Sequence, residues 1–469
     1  MTLFQKEFLD LTLRFGERPL LDDERIGAFS IEETYRLSKQ TAARLYSLGY
    51  RPGEGLVIKA TRSASTTVLL YASQMLGLIA VLVDFRTDAA SIMGLDPRIK
   101  GIACQNDEAN DILSWEISHL ETSISLQIPD IHDENVDFPE VERLENSDAV
   151  WVFTSGSEGQ YKVVRHSQET LFSHCKRYHA PSSCDETDRG VVLLPLFHVF
   201  GLALIYIPIV VGFSIYFPAS LELDYIIDYC IKKEITYLDS VPSFQYALAK
   251  RVEERGIQIP SLRNGLTGGA PMERGRFQEM ERILGMKLLP VYGASEIIAI
   301  AALGEEGSEE RRWSTVGQPI PDTIMKILDE NGNPVKQGEM GEITVKSPSL
   351  MLGYLGKDSG IDENGFFSTG DIGYLDENGD LHISGRKKQI IIRNGNNLSI
   401  VEIENRLLKV AGVKSACVVT LPSQEVGEVP GAMISILEGE DISEIQDRIE
   451  AELPKLLLPE KILFTSTLP

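Results

Sequence analysis

Apolar residues recur every three or four positions through SIEETYRLSKQTAARLYSLGY (30–50), the period of a helix with one buried face. Ser30 followed three positions later by Glu33 is a capping box that marks where this helix starts, and Gly49 marks where it stops. GLVIKA (55–60) is a short continuous apolar run and reads as a buried strand, and TTVLLYASQMLGLIAVLVDF (66–85) reads as a helix followed by a second strand. Alternation of this kind predicts a parallel sheet with crossover helices. The rhythm returns in RGVVLLPL, SIYFP and ITYLDSV, and in the helix PSFQYALAKRVEERG. No period of 20–50 residues repeats, which excludes a solenoid.

The texture changes after about residue 320. TIMKILDENGNPVKQGEMGEITVKS and GDIGYLDENGDLHISG are short alternating runs broken by Asn-Gly turns, the pattern of hairpins. Alternation of helix and strand resumes in VEIENRLLKV, SACVVTL, GAMISIL and ISEIQDRIEAELPKLL. The expected architecture is α/β: a large N-terminal body, a small β-rich element and a compact α+β unit beginning near residue 388.

Charge and composition narrow the partners. A net charge of −24 argues against nucleic acid or anionic lipid as a main partner, although a small anion can still bind in a local positive pocket. The five cysteines (Cys104, Cys175, Cys184, Cys230, Cys417) contain no C-x-x-C pair, so neither a metal cluster nor a disulfide framework is expected. MTLFQKEFLDLTLRFGERP carries charges throughout and lacks the apolar core of a signal peptide. GLALIYIPIVVGFSIYF (201–217) contains Pro208 and Gly212 and is short for a membrane span. A cytoplasmic protein without stable membrane insertion is expected.

FTSGSEGQYKVVRHS (153–167) packs small hydroxyl residues, glycines and a lysine behind an apolar lead-in. Backbone N–H groups and hydroxyls in such a loop surround phosphate oxygens, and Lys162 supplies charge. It is not a Walker loop, since G-x-x-x-x-G-K-[ST] is absent; on composition alone it reads equally as a surface turn. LPLFHVFGL (194–202) places His198 in an apolar stretch, where a buried structural histidine is the commoner case. TGGAP (267–271), VYGASE (291–296), STGD (368–371) and GRKKQIIIRNGNN (385–397) follow, and each alone is a weak signal.

In that order, however, the six motifs resemble the adenylate-forming superfamily of acyl- and aryl-CoA synthetases, peptide-synthetase adenylation domains and luciferase, and the resemblance covers nearly the whole chain. It implies a large N-terminal domain (1–387) of stacked β-sheets with flanking helices and a small β-barrel element. A small mobile C-terminal α+β domain (388–469) would follow. It also implies a reaction in which a carboxylate attacks the α-phosphate of ATP, releasing pyrophosphate, and a thiol then displaces AMP from the acyl-adenylate. Such catalysis is mainly positioning and charge stabilisation.

By the same resemblance, Thr154, Ser155, Gly156, Ser157, Gly159 and Lys162 lie over the β- and γ-phosphates. Gly269, Ala270 and Pro271 flank adenine, with Tyr292 on its other face. Ser295 touches the α-phosphate region, Gly293 belongs to the same nucleotide-binding set, and Glu296 holds Mg²⁺. Asp371 binds the ribose hydroxyls with help from Arg386, Lys388 is the hinge of the C-terminal domain, and His198 gates the site where acid and thiol meet.

Three departures from the family's pattern stand out. In the phosphate loop, Glu158, Tyr161 and Val163 replace the usual threonine, proline and glycine. Glu158 either repels the triphosphate or points outward from the loop tip; the frequent solvation of such tips favours the second. Pro290 and Val291 stand before Tyr292 where a polar residue is usual. The sequence ends at Leu468-Pro469, before a Gly-Lys whose lysine bridges carboxylate and α-phosphate, so a trimmed chain is expected. PLFHV lacks the acid that holds an α-amino group, which disfavours amino acids. Gly268-Gly269 leaves room for an acyl or aryl group, and Val199, Phe200, Leu202 and Val241 suggest an apolar lining. The acceptor is coenzyme A or a carrier-protein phosphopantetheine arm. A nucleotide-binding homologue with impaired catalysis is the alternative from another class.

Overall fold

The computed structural model describes the chain apart from residues 89, 106–113, 120, 121, 128–140, 142–144, 156–160, 183, 273, 394, 395, 424, 438 and 466–469. Gly156, Ser157, Glu158 and Gly159 therefore lie outside the described residues. The chain forms two compact units, one of residues 1–324 and 346–367 and the other of 325–345 and 368–469. The β-rich segments on either side of 346–367 thus pack with the C-terminal residues.

In the first unit the expected elements form for the expected reasons. Helix Ile31–Ser47 starts at Ser30, whose side chain accepts from Glu33 N while the Glu33 carboxylate takes the Ser30 N–H, a complete capping box. Strand Gly55–Ala60 pairs in parallel with Ile79–Asp84 and with Ile99–Gln105. It is the centre of an eight-stranded sheet, and Val57, Val81 and Trp151 are buried within it. Strand Val150–Ser155 joins this sheet in parallel beside Ile79–Asp84 and turns back antiparallel as Tyr161–His166. The short strand Gly353–Tyr354 closes that edge, pairing Tyr354 with Val164. The apolar stretch after His198 becomes helix Val199–Val211 and strand Ser214–Phe217. No helix among the described residues is long and apolar enough to cross a membrane.

The run ITYLDSV departs from expectation. It forms only isolated bridges: Tyr237 with Gly190 on one side and Asn264 on the other, and Ser240 with Thr267. These bridges join two four-stranded sheets, one of which carries the strands Asn264–Gly268 and Lys287–Tyr292. A regular ladder is interrupted because side chains take the place of a backbone rung, as described below.

In the second unit, strand Phe367–Leu375 pairs antiparallel with Leu381–Arg386 across the Asp376–Gly379 turn. Asp376 fixes that turn by accepting the N–H groups of Asn378 and Asp380, each at 2.9 Å. A further sheet, built on the long hairpin Val413–Ser423 and Gly427–Ile436, packs on helices Ile400–Leu407 and Ile442–Glu452 around Ile403, Leu407, Ile445 and Ile449.

Candidate functional site

Lys162 sits in the second strand of the hairpin that frames the phosphate loop, and its backbone pairs with Thr154. Its ammonium lies 4.6 Å from the centroid of the Tyr354 ring, a cation–π contact. The Tyr354 hydroxyl donates to Glu296 Oε1 at 2.6 Å. One buried tyrosine thus links the lysine of the first motif to the carboxylate of VYGASE. Burial, then the adjacent carboxylate, raises the Tyr354 hydroxyl pKa well above its usual value, so it stays protonated and remains a donor.

The turn that carries Glu296 is held from three sides. A Cβ at Gly293 would sit 1.9 Å from the Ile298 carbonyl, so only glycine fits there. His166 Nε2 meets the Ser295 carbonyl at 2.8 Å, and Met351 N donates to the Glu296 carbonyl at 2.7 Å. Burial pushes the His166 imidazole down to about 4 against the opposing pull of the Ser295 carbonyl, so it is neutral at physiological pH and donates from Nε2.

Strand Asn264–Gly268 runs into the turn Gly269-Ala270-Pro271, which is exposed. Gly269 has φ of +83°, and a Cβ there would lie 3.7 Å from Val241 Cγ1. The two glycines differ in purpose. A Cβ at Gly268 would meet Val291 Cγ1 at 2.6 Å, so that glycine admits the neighbouring strand. The room expected at Gly268-Gly269 is therefore confined to Gly269. Tyr292 ends strand Lys287–Tyr292 and is buried.

His198 is the N-cap of helix Val199–Val211, and its Nδ1 accepts from Phe200 N at 3.3 Å. That bond leaves the proton on Nε2. The ring keeps an exposed face, yet desolvation by the protein packed around it lowers its pKa below the usual histidine value. A Cβ at Gly201 would lie 2.1 Å from the Pro195 carbonyl, so glycine is what lets the helix fold back onto PLFH.

In the second unit, STGD lies within strand Phe367–Leu375. The Thr369 hydroxyl donates to the Ile343 carbonyl at 2.9 Å and accepts from Asp371 N at 3.1 Å. Asp371 is buried and faces Arg386 across the antiparallel pair, with Arg386 Nε 3.1 Å from Asp371 Oδ1. Lys388 lies in the single 3₁₀ turn Lys387–Gln389 that follows.

Sequence reasoning missed Tyr354 and His166. Neither has a signal of its own along the chain, because Tyr354 reaches Glu296 only through its strand pairing with residue 164.

Comparison with known proteins adds the family. The AMP-binding enzyme family matches residues 12–355, and its C-terminal domain matches residues 402–469. A 2-succinylbenzoate–CoA ligase of Bacillus licheniformis is 30% identical over 459 residues, covering 93% of this chain and 91% of that protein. A feruloyl-CoA synthase of Amycolatopsis is 25% identical, covering 94% of this chain and 91% of that protein. The solved structure of o-succinylbenzoate CoA synthetase from Bacillus subtilis with its acyl-adenylate superposes with a TM-score of 0.84 at 24% identity, covering 99% of this chain and 95% of that one. The chain belongs to the AMP-binding enzyme family. It is an AMP-forming acid–thiol ligase, which activates a carboxylic acid with ATP and passes the acyl group to a thiol.

Proposed function

We propose that the acid is an aromatic carboxylic acid, that the acceptor is coenzyme A, and that Mg²⁺-ATP is held by the residues assembled above. The convergence of Lys162 and Glu296 on Tyr354 carries this reading, because a cation for the β- and γ-phosphates and a carboxylate for their metal belong side by side. Relatives named for 2-succinylbenzoate, ferulate and indoleacetate support the aromatic class. Val241 beside Gly269 supplies an apolar wall of the kind such a ring needs.

In this reading Thr154, Ser155 and Lys162, with Gly156, Ser157 and Gly159, surround the departing pyrophosphate. Gly269, Ala270, Pro271 and Tyr292 bound the adenine. Gly293 and Ser295 adjoin the α-phosphate, Asp371 and Arg386 the ribose, and His198 the point where carboxylate and thiol meet. Glu296 fits a hard cation: it offers oxygen, and Oε2 has no hydrogen-bond partner among the described residues while Oε1 is oriented by Tyr354. Among the described residues no three His, Cys, Asp or Glu side chains could hold a metal by themselves. Phosphate oxygens and water would then supply the remaining ligands, as is usual for Mg²⁺. When bound, the ion neutralises charge developing on the pyrophosphate.

The test is acid-dependent exchange of pyrophosphate into ATP across a panel containing 2-succinylbenzoate, ferulate, indoleacetate and straight-chain acids, followed by a CoA thioester assay. Exchange only with straight-chain acids would overturn the aromatic assignment, and adenylate formation without CoA thioester would overturn the acceptor. Glu296→Gln should raise the Mg²⁺ concentration for half-maximal exchange by about tenfold, the scale of a lost charged ligand of about 1.4 kcal/mol. An unchanged Mg²⁺ titration would remove Glu296 from the metal site.

A further inference from the structure

The broken ladder beneath the 267–271 turn has a chemical repair. Leu238 N donates to the Asn264 carbonyl at 3.1 Å and Ser240 N to the Leu266 carbonyl at 3.2 Å, so rungs flank the break on both sides. The rung between them would join Leu266 N–H to the Leu238 carbonyl. Instead, Leu266 N donates to Asp239 Oδ1 at 2.7 Å, and Gln245 Nε2 donates to the Leu238 carbonyl at 3.2 Å. The same amide also donates to the Leu266 carbonyl at 3.0 Å. Asp239 and Gln245 are both fully buried. The two chain segments press together at this point, since a Cβ at Gly265 would lie 2.0 Å from the Leu238 carbonyl.

We propose that Asp239 and Gln245 are positioning residues for the nucleotide, their side chains splicing the ladder that carries the Gly269-Ala270-Pro271 turn and Val241. This rests on the reading of that turn as the adenine wall. A buried carboxyl in a backbone rung serves this purpose only while it is neutral, because a dry carboxylate costs several kcal/mol unless a cation meets it. Here none does: among the described residues only the Tyr237 hydroxyl and the Leu266 N–H bear on Asp239, from its own chain segment and from strand Asn264–Gly268, while helix Pro242–Arg255 contributes the uncharged Gln245. Burial raises the Asp239 pKa to about 8.

The sign follows. Asp239 is protonated in the folded protein and ionised in the unfolded chain between its ordinary carboxyl range and about pH 8. Its contribution to stability is complete below that ordinary range, is lost as pH rises towards about 8, and is constant beyond it. Ionisation also strains the splice, so nucleotide binding should weaken where the proton leaves.

The experiment measures Mg²⁺-ATP affinity by calorimetry from about pH 6.5 to about pH 9.5, a window that brackets the raised pKa, for the wild type and Asp239→Asn, with thermal unfolding alongside. Asparagine keeps the acceptor oxygen for Leu266 and has no proton to lose. Wild-type affinity should fall by about tenfold across this range, the consequence of a one-unit pKa difference between free and bound protein, while Asp239→Asn stays flat. A purely structural role would shift the unfolding temperature without separating the two binding profiles. A wild-type profile without a bend, or variant and wild-type profiles that run parallel, overturns the proposal while leaving the nucleotide site intact. Absence of ATP binding at every pH overturns both.

Discussion

Asp371→Ala is expected to raise the ATP concentration needed for adenylate formation by about a hundredfold or more. Two ribose hydroxyls would each lose a bond to a charged acceptor, worth about 1.5–3 kcal/mol apiece, and about 1.4 kcal/mol corresponds to tenfold in affinity. The loss extends beyond the nucleotide, because Arg386 faces Asp371 at 3.1 Å and would be left without that carboxylate. Asp371→Asn separates the two effects: it preserves shape and the Thr369 contact but removes charge, and its ATP affinity should fall between wild type and alanine. The Thr369–Asp371 contact itself should survive in both, since Asp371 enters it through its backbone N–H to the Thr369 hydroxyl. Calorimetric titration with ATP checks this, and an Asp371→Ala affinity within about twofold of wild type would remove the residue from the ribose site.

What could be read from the sequence divides by range. The Ser30–Glu33 capping box is complete within a few residues, so spacing specifies it fully. The apolar lead-in to the phosphate loop was legible from its own run of residues and is strand Val150–Ser155, whereas its pairing with Tyr161–His166 was not read. Tyr354 was not legible either, because its role depends on strand Gly353–Tyr354 meeting residues 164 and 165, far earlier in the chain. ITYLDSV shows a different failure. Its apolar and β-branched residues satisfy every local preference for a strand, yet the acid within it takes a rung from the backbone. A buried aspartate in a strand-like run is the signal that sequence reading passed over. Gly268 was misread because a glycine that admits a neighbouring strand and one that leaves room for a ligand look alike until the neighbour is placed.

Lys388→Pro should separate the two half-reactions. Lys388 lies in a single 3₁₀ turn between strand Leu381–Arg386 and the hairpin Ile390–Arg393 and Asn396–Ser399. A 3₁₀ turn holds φ near about −50 to −70°, and proline fixes φ near about −65°, so the conformation seen here should accept the substitution. A hinge must visit another backbone conformation, and proline denies it that freedom. Beside this turn, a Cβ at Gly385 would lie 3.2 Å from Ser399 Oγ, and Gly385 holds φ at +149°. The chain therefore passes close to Ser399 just before the turn. If the C-terminal residues rotate about Lys388 between adenylation and thioester formation, the half-reaction served by the present conformation should persist while the other falls by about a hundredfold, the cost of misplacing a catalytic element by about an ångström. Lys388→Ala, which removes the side chain but leaves the backbone free, should retain both. Acid-dependent pyrophosphate exchange reports the first half-reaction, and single-turnover transfer from preformed adenylate to coenzyme A reports the second. Equal loss of both in the proline variant, or loss of neither, would place the hinge elsewhere.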